Sequence, residues 1–226
     1  MSVDKKKFWE KKIIGWEDGR YNLKNDRINF LENIGDKASS SLYHRQKICL
    51  EILKDKVYKK DIIELGCGSG LITKQILSLG AKSYTGYDIS ANAINRAKKT
   101  AEQENLQNCK YFVQPVNEIS ELNCDIVFSL GFIDWLNNDE LEHLFKMSKN
   151  IDFIHSMSEK KSSIIQYLHR LYVYLSYGRK TKGYAPRYIT KEKILKLINS
   201  HINKKIYFLN KKELSFGVFF SSFNSE

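Results

Sequence analysis

The segment Asp61-Ile62-Ile63-Glu64-Leu65-Gly66-Cys67-Gly68-Ser69-Gly70 constrains this 226-residue chain more than any other. A short apolar strand, DIIEL, runs into a loop with glycine at every second position, and the pattern from Leu71 to Leu79 is helical. Glycine lacks a Cβ, so a ligand can lie directly over such a loop. The helix that follows offers unpaired N–H groups and positive partial charge. In open parallel sheets this turn, beyond the carboxyl end of a strand, is where ligands bind. The spacing is G-x-G-x-G. It is neither the G-x-G-x-x-G dinucleotide fingerprint nor a phosphate loop ending in Gly-Lys-Ser/Thr. Asp88 supplies a second half. It ends the next strand, SYTGYD (83–88), where a carboxylate can accept hydrogen bonds from both hydroxyls of a ribose.

From residue 61 onward strands and helices alternate. Ser90 caps a helix from Ala91 to about Glu104, CKYFVQ (109–114) and CDIVFSL (124–130) read as strands, and Asp139–Met147 reads as a helix. DFIHSM (152–157) is a fifth strand, and Thr190 caps a helix from Lys191 to about Ser200. Two last strands, KKIYFLN (204–210) and LSFGVFFSSF (214–223), have only Lys211–Glu213 between them and so must be antiparallel neighbours. Alternation with short apolar strands predicts an α/β fold, a mostly parallel sheet with helices on both faces. Residues 1–60 lack strand patterns. They are expected to form an N-terminal helical cap, with a helix at 40–54 capped by Ser39, Ser40 or Ser41, ahead of a main domain at 61–226. A basic, tyrosine-rich insert at about 158–189 interrupts the alternation.

Composition narrows the function classes. At 226 residues, one domain, or one with an appendage, buries enough core to need neither disulfide nor metal. The four cysteines and five histidines are scattered without metal-ligand spacing. Met1–Gly15 carries charge throughout and has no apolar core, and no stretch approaches the ~20 apolar residues of a membrane span. These features predict a cytoplasmic protein with reduced thiols and no membrane span. The unusual quantity is charge: 37 Lys+Arg against 26 Asp+Glu, a net +11. Nucleic acid, a membrane surface and an acidic substrate compete to explain it.

The run E-L-G-C-G-S-G followed by Y-D-I-S resembles the cofactor site of class I S-adenosylmethionine-dependent methyltransferases. The closing antiparallel hairpin also resembles that family, whose fold is a Rossmann-like seven-stranded sheet with an antiparallel last strand. The resemblance implies S-adenosylmethionine as cofactor. Glu64 and Gly70 then belong to the cofactor loop, with Glu64 at the cofactor's amino acid end. Gly66 and Gly68 lie beneath the methionine and sugar, Asp88 holds the ribose, and Ile89 flanks the adenine. In Gln114-Pro115-Val116-Asn117-Glu118 the family's acidic adenine contact is missing, which leaves Val116 or Asn117 in its place. Ser129, Leu130 and Gly131 face the sulfonium, and Arg45 and Tyr21 are candidates for the methionyl carboxylate. The layout resembles, loosely, the small-molecule branch that includes magnesium-protoporphyrin O-methyltransferase. The porphyrin substrate does not carry over.

Methyl transfer to a hydroxyl needs a base; transfer to a carboxylate or phosphate does not. Asp134 and His155, at the ends of the fourth and fifth strands, are the candidate bases, and His169 in the insert is a third. The Pro-Pro-aromatic motif of DNA amino-methyltransferases is absent after the fourth strand, which counts against DNA. Between Glu159 and Lys191 there are eight basic residues against one acidic, and six of the thirteen tyrosines. Such an insert, roofing the acceptor pocket, suits an anionic small molecule held by Arg179, Tyr184, Arg187 and Tyr188. The leading expectation is therefore O-methylation of a phosphorylated or sugar-type metabolite, such as a surface-glycan precursor. A tRNA or rRNA methyltransferase and a non-catalytic cofactor-binding partner subunit are the alternatives.

Overall fold

The computed structural model describes residues 4–21, 43–175, 181 and 184–224. Seven strands make one sheet: β1 Asp61–Leu65, β2 Ser83–Asp88, β3 Cys109–Val113, β4 Ile126–Ser129, β5 Asp152–Ser158, β6 Tyr207–Leu209 and β7 Gly217–Ser221. Their order is β3-β2-β1-β4-β5-β7-β6. The first five are parallel neighbours, and β7 pairs antiparallel with both β5 and β6. The sheet expected from the alternation and the closing hairpin is thus present. The order reverses between β1 and β4, and at that switch point a crevice opens beyond the strand ends.

Alternation along each strand sends neighbours to opposite faces. Ile62, Ile126, Ile154 and Phe219 join one core, while Ile63, Val127, Phe153 and Phe220 join the other. The first core is covered by α2 (43–53), α3 Thr73–Ser78 and α4 Ala91–Gln103, through Ile48, Leu53, Ile76 and Ile94. The second is covered by α5 Asn138–Met147 and α7 Lys191–Asn199, through Leu144, Phe145, Ile194 and Ile198. The expected caps form: Ser90 accepts from the Ala93 N–H, and Thr190 from the Lys193 N–H. Asn137 completes a reciprocal box with Glu140. Within the segment read as a cap up to residue 60, α2 packs into the sheet's core. Ser39, Ser40 and Ser41 lie outside the described residues.

One helix is not singled out by the pattern within the expected N-terminal cap, and one lies in the insert where a tyrosine-rich helix is expected. Lys5–Tyr21 forms a helix, α1, that the sequence pattern did not reveal. Of the basic insert, Ile164–Val173 is helix α6.

Candidate functional site

The glycine loop is shaped by its link to β2. The Gly66 and Cys67 N–H groups both donate to the Tyr87 carbonyl, at 2.8 and 3.0 Å, which turns the chain sharply at the end of β1. Gly66 and Gly68 have φ of +69° and +52°, the left-handed region that favours glycine. A Cβ on Gly66 would stand 2.5 Å from the Phe132 ring, so the position is closed to other residues on both counts. Asp88, at the end of β2, is buried. Its Oδ2 accepts the Gly68 N–H and its Oδ1 the Ser90 N–H, both at 2.9 Å. One carboxylate thereby joins the glycine loop to the start of α4.

A cleft of about 770 Å³, counting space open to solvent, begins at this point. Gly66, Asp88, Ile89, Val116, Leu130 and Gly131 all line it. A second cleft shares Ile13, Gly66 and Leu130 with the first and is lined by Glu64, Cys67 and Gly68. Glu64 is buried and receives the Tyr84 hydroxyl; burial pushes its pKa up to about 8. Gly70 packs beside Tyr111 and Thr73, Ser129 turns its hydroxyl to His155, and Asn117 is exposed. None of these three lines either cleft.

Glu64 carries a prediction whose sign is fixed. Its folded pKa lies above the usual carboxyl value, so the folded state holds a proton that the unfolded state releases. Stability therefore falls as pH rises from about 4.5 toward about 8 and levels off above. Glu64→Gln removes that fall. Melting curves at pH 5 and pH 8 should show the wild type losing more stability between them than the variant.

Helix α1 is the part of the site that sequence reasoning missed. Lys5, Trp9 and Ile13 line the main cleft, and Ile13 and Glu17 line the second. Glu17 Oε1 accepts the Ser69 N–H at 2.9 Å and its Oε2 the Ser69 hydroxyl at 2.6 Å; its carboxyl lies over Gly68, where a Cβ would stand 2.0 Å from Oε1. Glu10 takes the Asn92 N–H and the Ser90 hydroxyl at the start of α4, a favourable place for an anion. Asp18 pairs with Arg96 on α4, and Lys5 pairs with Glu140 on α5. The helix is thus fastened across the mouth of the crevice at both ends. Phe8, Trp9, Trp135 and Tyr184 close around one another with ring centroids 4.7–5.8 Å apart, and the Trp9 indole N–H donates to the Tyr184 hydroxyl. This cluster roofs the cleft, and Tyr184 is the insert's contribution to it.

The other sequence candidates are placed elsewhere. His155 is fully buried between Phe153 and Phe220, with Nδ1 against the Ser129 hydroxyl. Burial holds its pKa down to about 3, and it does not reach the rim. Asp134 is buried and bound by Arg45 and by the Ser158 N–H and hydroxyl, so it is not open to a substrate. Arg45 is correspondingly spent on Asp134, Ser156 and Ser158 rather than on a cofactor carboxylate. Arg187 donates to the Leu136 carbonyl and to Asn138 Oδ1, clamping the insert to α5. Tyr188 and His169 meet each other through the hydroxyl and Nδ1, away from the cleft. Arg179 lies outside the described residues, as does the side chain of Tyr21. Among the described residues no cluster of His, Cys, Asp or Glu is arranged to hold a metal.

The residues present suit S-adenosylmethionine. Each Asp88 oxygen keeps a lone pair after its backbone bond, which matches the two hydroxyls of a ribose. Glu64 and Glu17 line the second cleft; Glu64 is held protonated at neutral pH by burial and can accept a hydrogen bond there, and Glu17 caps Ser69 of the glycine loop. A doubly wound sheet with this loop and this acid at the next strand end is similar to the cofactor site of class I S-adenosylmethionine-dependent methyltransferases. Residues 62–151 match the protein family described as "Methyltransferase domain". Ribosomal protein L11 methyltransferase of Shewanella halifaxensis is 33% identical over 101 residues, 44% of this chain and 34% of the relative. The chain spans about a third of the length of the curated relatives it matches. Magnesium protoporphyrin IX methyltransferase from Synechocystis PCC 6803, solved with bound SAH, superposes with a TM-score of 0.68 at 15% identity, over 96% of each chain. Human N-acetylserotonin methyltransferase superposes at 0.58 with 15% identity, over 83% of this chain and 55% of its own.

Proposed function

We propose that this chain transfers the methyl group of S-adenosylmethionine to an anionic oxygen, a carboxylate or phosphate, of a small molecule. The cofactor, when bound, supplies an electrophilic methyl on a sulfonium. Asp88 accepts the ribose hydroxyls, Ile89, Pro115 and Val116 flank the adenine, and Leu130 and Gly131 lie toward the reacting centre. Glu64 stands at the amino acid end. The aromatic roof of Phe8, Trp9, Trp135 and Tyr184 excludes water and confines the acceptor. The observation that carries the anionic reading is the make-up of the cleft. Among the described residues lining it the carboxylates are Asp88 and Glu140, and there is no histidine. Asp88 serves the ribose, and Glu140 is held by Lys5. Burial pushes the Tyr184 phenol up to about 12, out of range for a base at neutral pH. An acceptor oxygen that is already an anion needs no proton removed.

The test is production of S-adenosylhomocysteine when purified protein meets S-adenosylmethionine and a panel of small carboxylates, phosphates and neutral alcohols. Turnover with the alcohols alone would overturn the reading. With a working acceptor in hand, Tyr184→Ala should raise its KM about tenfold or more and leave the cofactor KM within about twofold. Equal loss of both would place Tyr184 against the cofactor. A tRNA or rRNA acceptor is the second reading, supported by the basic, tyrosine-bearing insert. It requires binding to RNA at physiological salt with a steep salt slope. A non-catalytic partner subunit would bind the cofactor and turn over none of these acceptors.

A further inference from the structure

Helix α6 is built inside out. Among the described side chains its inner side carries polar groups: Gln166 is buried, donates to the Glu159 carbonyl at 2.7 Å and accepts the Lys161 N–H at 2.6 Å. His169 turns inward to Tyr188 and the Phe216 ring. Its outer side carries Ile164, Tyr167, Leu168 and Leu171, and Tyr174 and Leu175 continue from its end in a short π-helical turn; all six are exposed, with Ile164 at 80% and Leu175 at 63%. The spacing i, i+3, i+4, i+7 puts Ile164, Tyr167, Leu168 and Leu171 on one stripe, opposite Gln166 and His169, and exposed Tyr174 and Leu175 follow it. Scattered exposed leucines need no explanation, but a continuous apolar stripe facing solvent does.

We propose that α6 lies flat on an anionic lipid bilayer surface, its apolar stripe sunk to the headgroup–acyl boundary. Charge names the occupant. Lys160, Lys161 and Arg170 are exposed on and beside the helix, and from Lys160 to Lys191 there is no acidic residue. Lys161 is partly neutralised by Glu159, which leaves Lys160 and Arg170 beside the stripe and Arg179, Lys180 and Lys182 just after it in sequence. Cations beside an apolar stripe that bears tyrosines are the make-up of an interfacial helix on acidic lipid. A second copy of this chain is disfavoured by the same charge, because a two-fold interface would set basic patch against basic patch. RNA would use the cations and tyrosines but leave Ile164, Leu168, Leu171 and Leu175 unexplained. The surface goes beyond methyl transfer and does not rest on it.

The test uses the full chain and sedimentation with sucrose-loaded vesicles of phosphatidylcholine alone or with about one-third phosphatidylglycerol. The protein should pellet with the acidic vesicles at least about tenfold more strongly than with the neutral ones, and added salt should weaken the binding. Leu171→Ser/Leu175→Ser should reduce binding to acidic vesicles at least about tenfold with an unchanged melting temperature, since both side chains are exposed. Absence of binding to acidic vesicles would overturn the proposal. So would retention of binding by the double variant, a dimer that the double variant dissociates, or binding to single-stranded RNA that the double variant loses in place of vesicle binding.

Discussion

Replacing Asp88 with alanine should weaken S-adenosylmethionine binding by about 1.5–3 kcal/mol, roughly 10- to 150-fold, in a calorimetric titration. The residue is placed to accept two ribose hydroxyls while each of its oxygens already holds a backbone N–H of the glycine loop or of α4. Alanine removes the acceptors and frees the Gly68 and Ser90 N–H groups at the same time. The melting temperature should move less than the affinity. Burial raises the Asp88 pKa, so the fold holds this charge at a desolvation cost that alanine relieves. Asparagine should not rescue binding, because its amide must turn an NH₂ toward one of the two N–H donors. An unchanged affinity would move the ribose elsewhere, and a wild type that binds no cofactor would remove the methyltransferase reading altogether.

Backbone signals made the cofactor half of the site legible in the sequence. Glycine at 66 and 68 answers to a positive φ, Asp88 to a strand end, and Ser90 to a helix cap; each is local and leaves a local mark. Helix α1 left none, because its inward side mixes Trp9 and Ile13 with Glu10 and Glu17. Carboxylates aimed at backbone N–H groups erase the apolar periodicity by which a helix is recognised. The available signal was lysine and glutamate density with Phe8, Trp9 and Ile13 interleaved. The long-range pairings were equally invisible. Asp134 and Arg187 have the residue types of a base and an anion clamp, and only the fold shows that one meets Arg45 and the other the Leu136 carbonyl. His155 looks like a rim residue from the sequence, but β5 runs on to Ser158, which leaves His155 mid-strand with the pleat turning it into the core beside Phe153.

Charge is also arranged differently from its sum. Glu10, Glu17 and Asp88 gather around the glycine loop of a +11 chain, with Glu64 buried beside them and held protonated by that burial. The excess of lysine and arginine lies elsewhere, Lys160 and Arg170 beside the apolar stripe of α6 among it. The two halves of one net charge therefore serve two different surfaces.

The largest stability effect is expected at Arg45→Met, about 3–5 kcal/mol, or roughly 6–20 °C in Tm. Arg45 rises from α2 and reaches Asp134 and Ser156 through Nη1 at 3.5 Å and Ser158 through Nη2 at 3.2 Å. It thereby joins the first layer of helices to the turn after β4 and to the end of β5. Both charged groups are buried, so removing the cation leaves Asp134 with only the Ser158 N–H and hydroxyl against its desolvation. The pH dependence of the loss follows. Burial already holds the Asp134 pKa above the usual carboxylate value, and Arg45 opposes that rise. Without Arg45 the folded state prefers the protonated carboxyl more strongly than the unfolded state does. Stability of the variant then increases as pH falls toward 4, and the gap to wild type narrows. Arg45→Met/Asp134→Leu should recover most of the loss at pH 7, because a buried pair replaced as a unit leaves no orphaned charge. A double variant no more stable than Arg45→Met would mean that Arg45 acts by packing alone, its guanidinium filling the space beside Gly217.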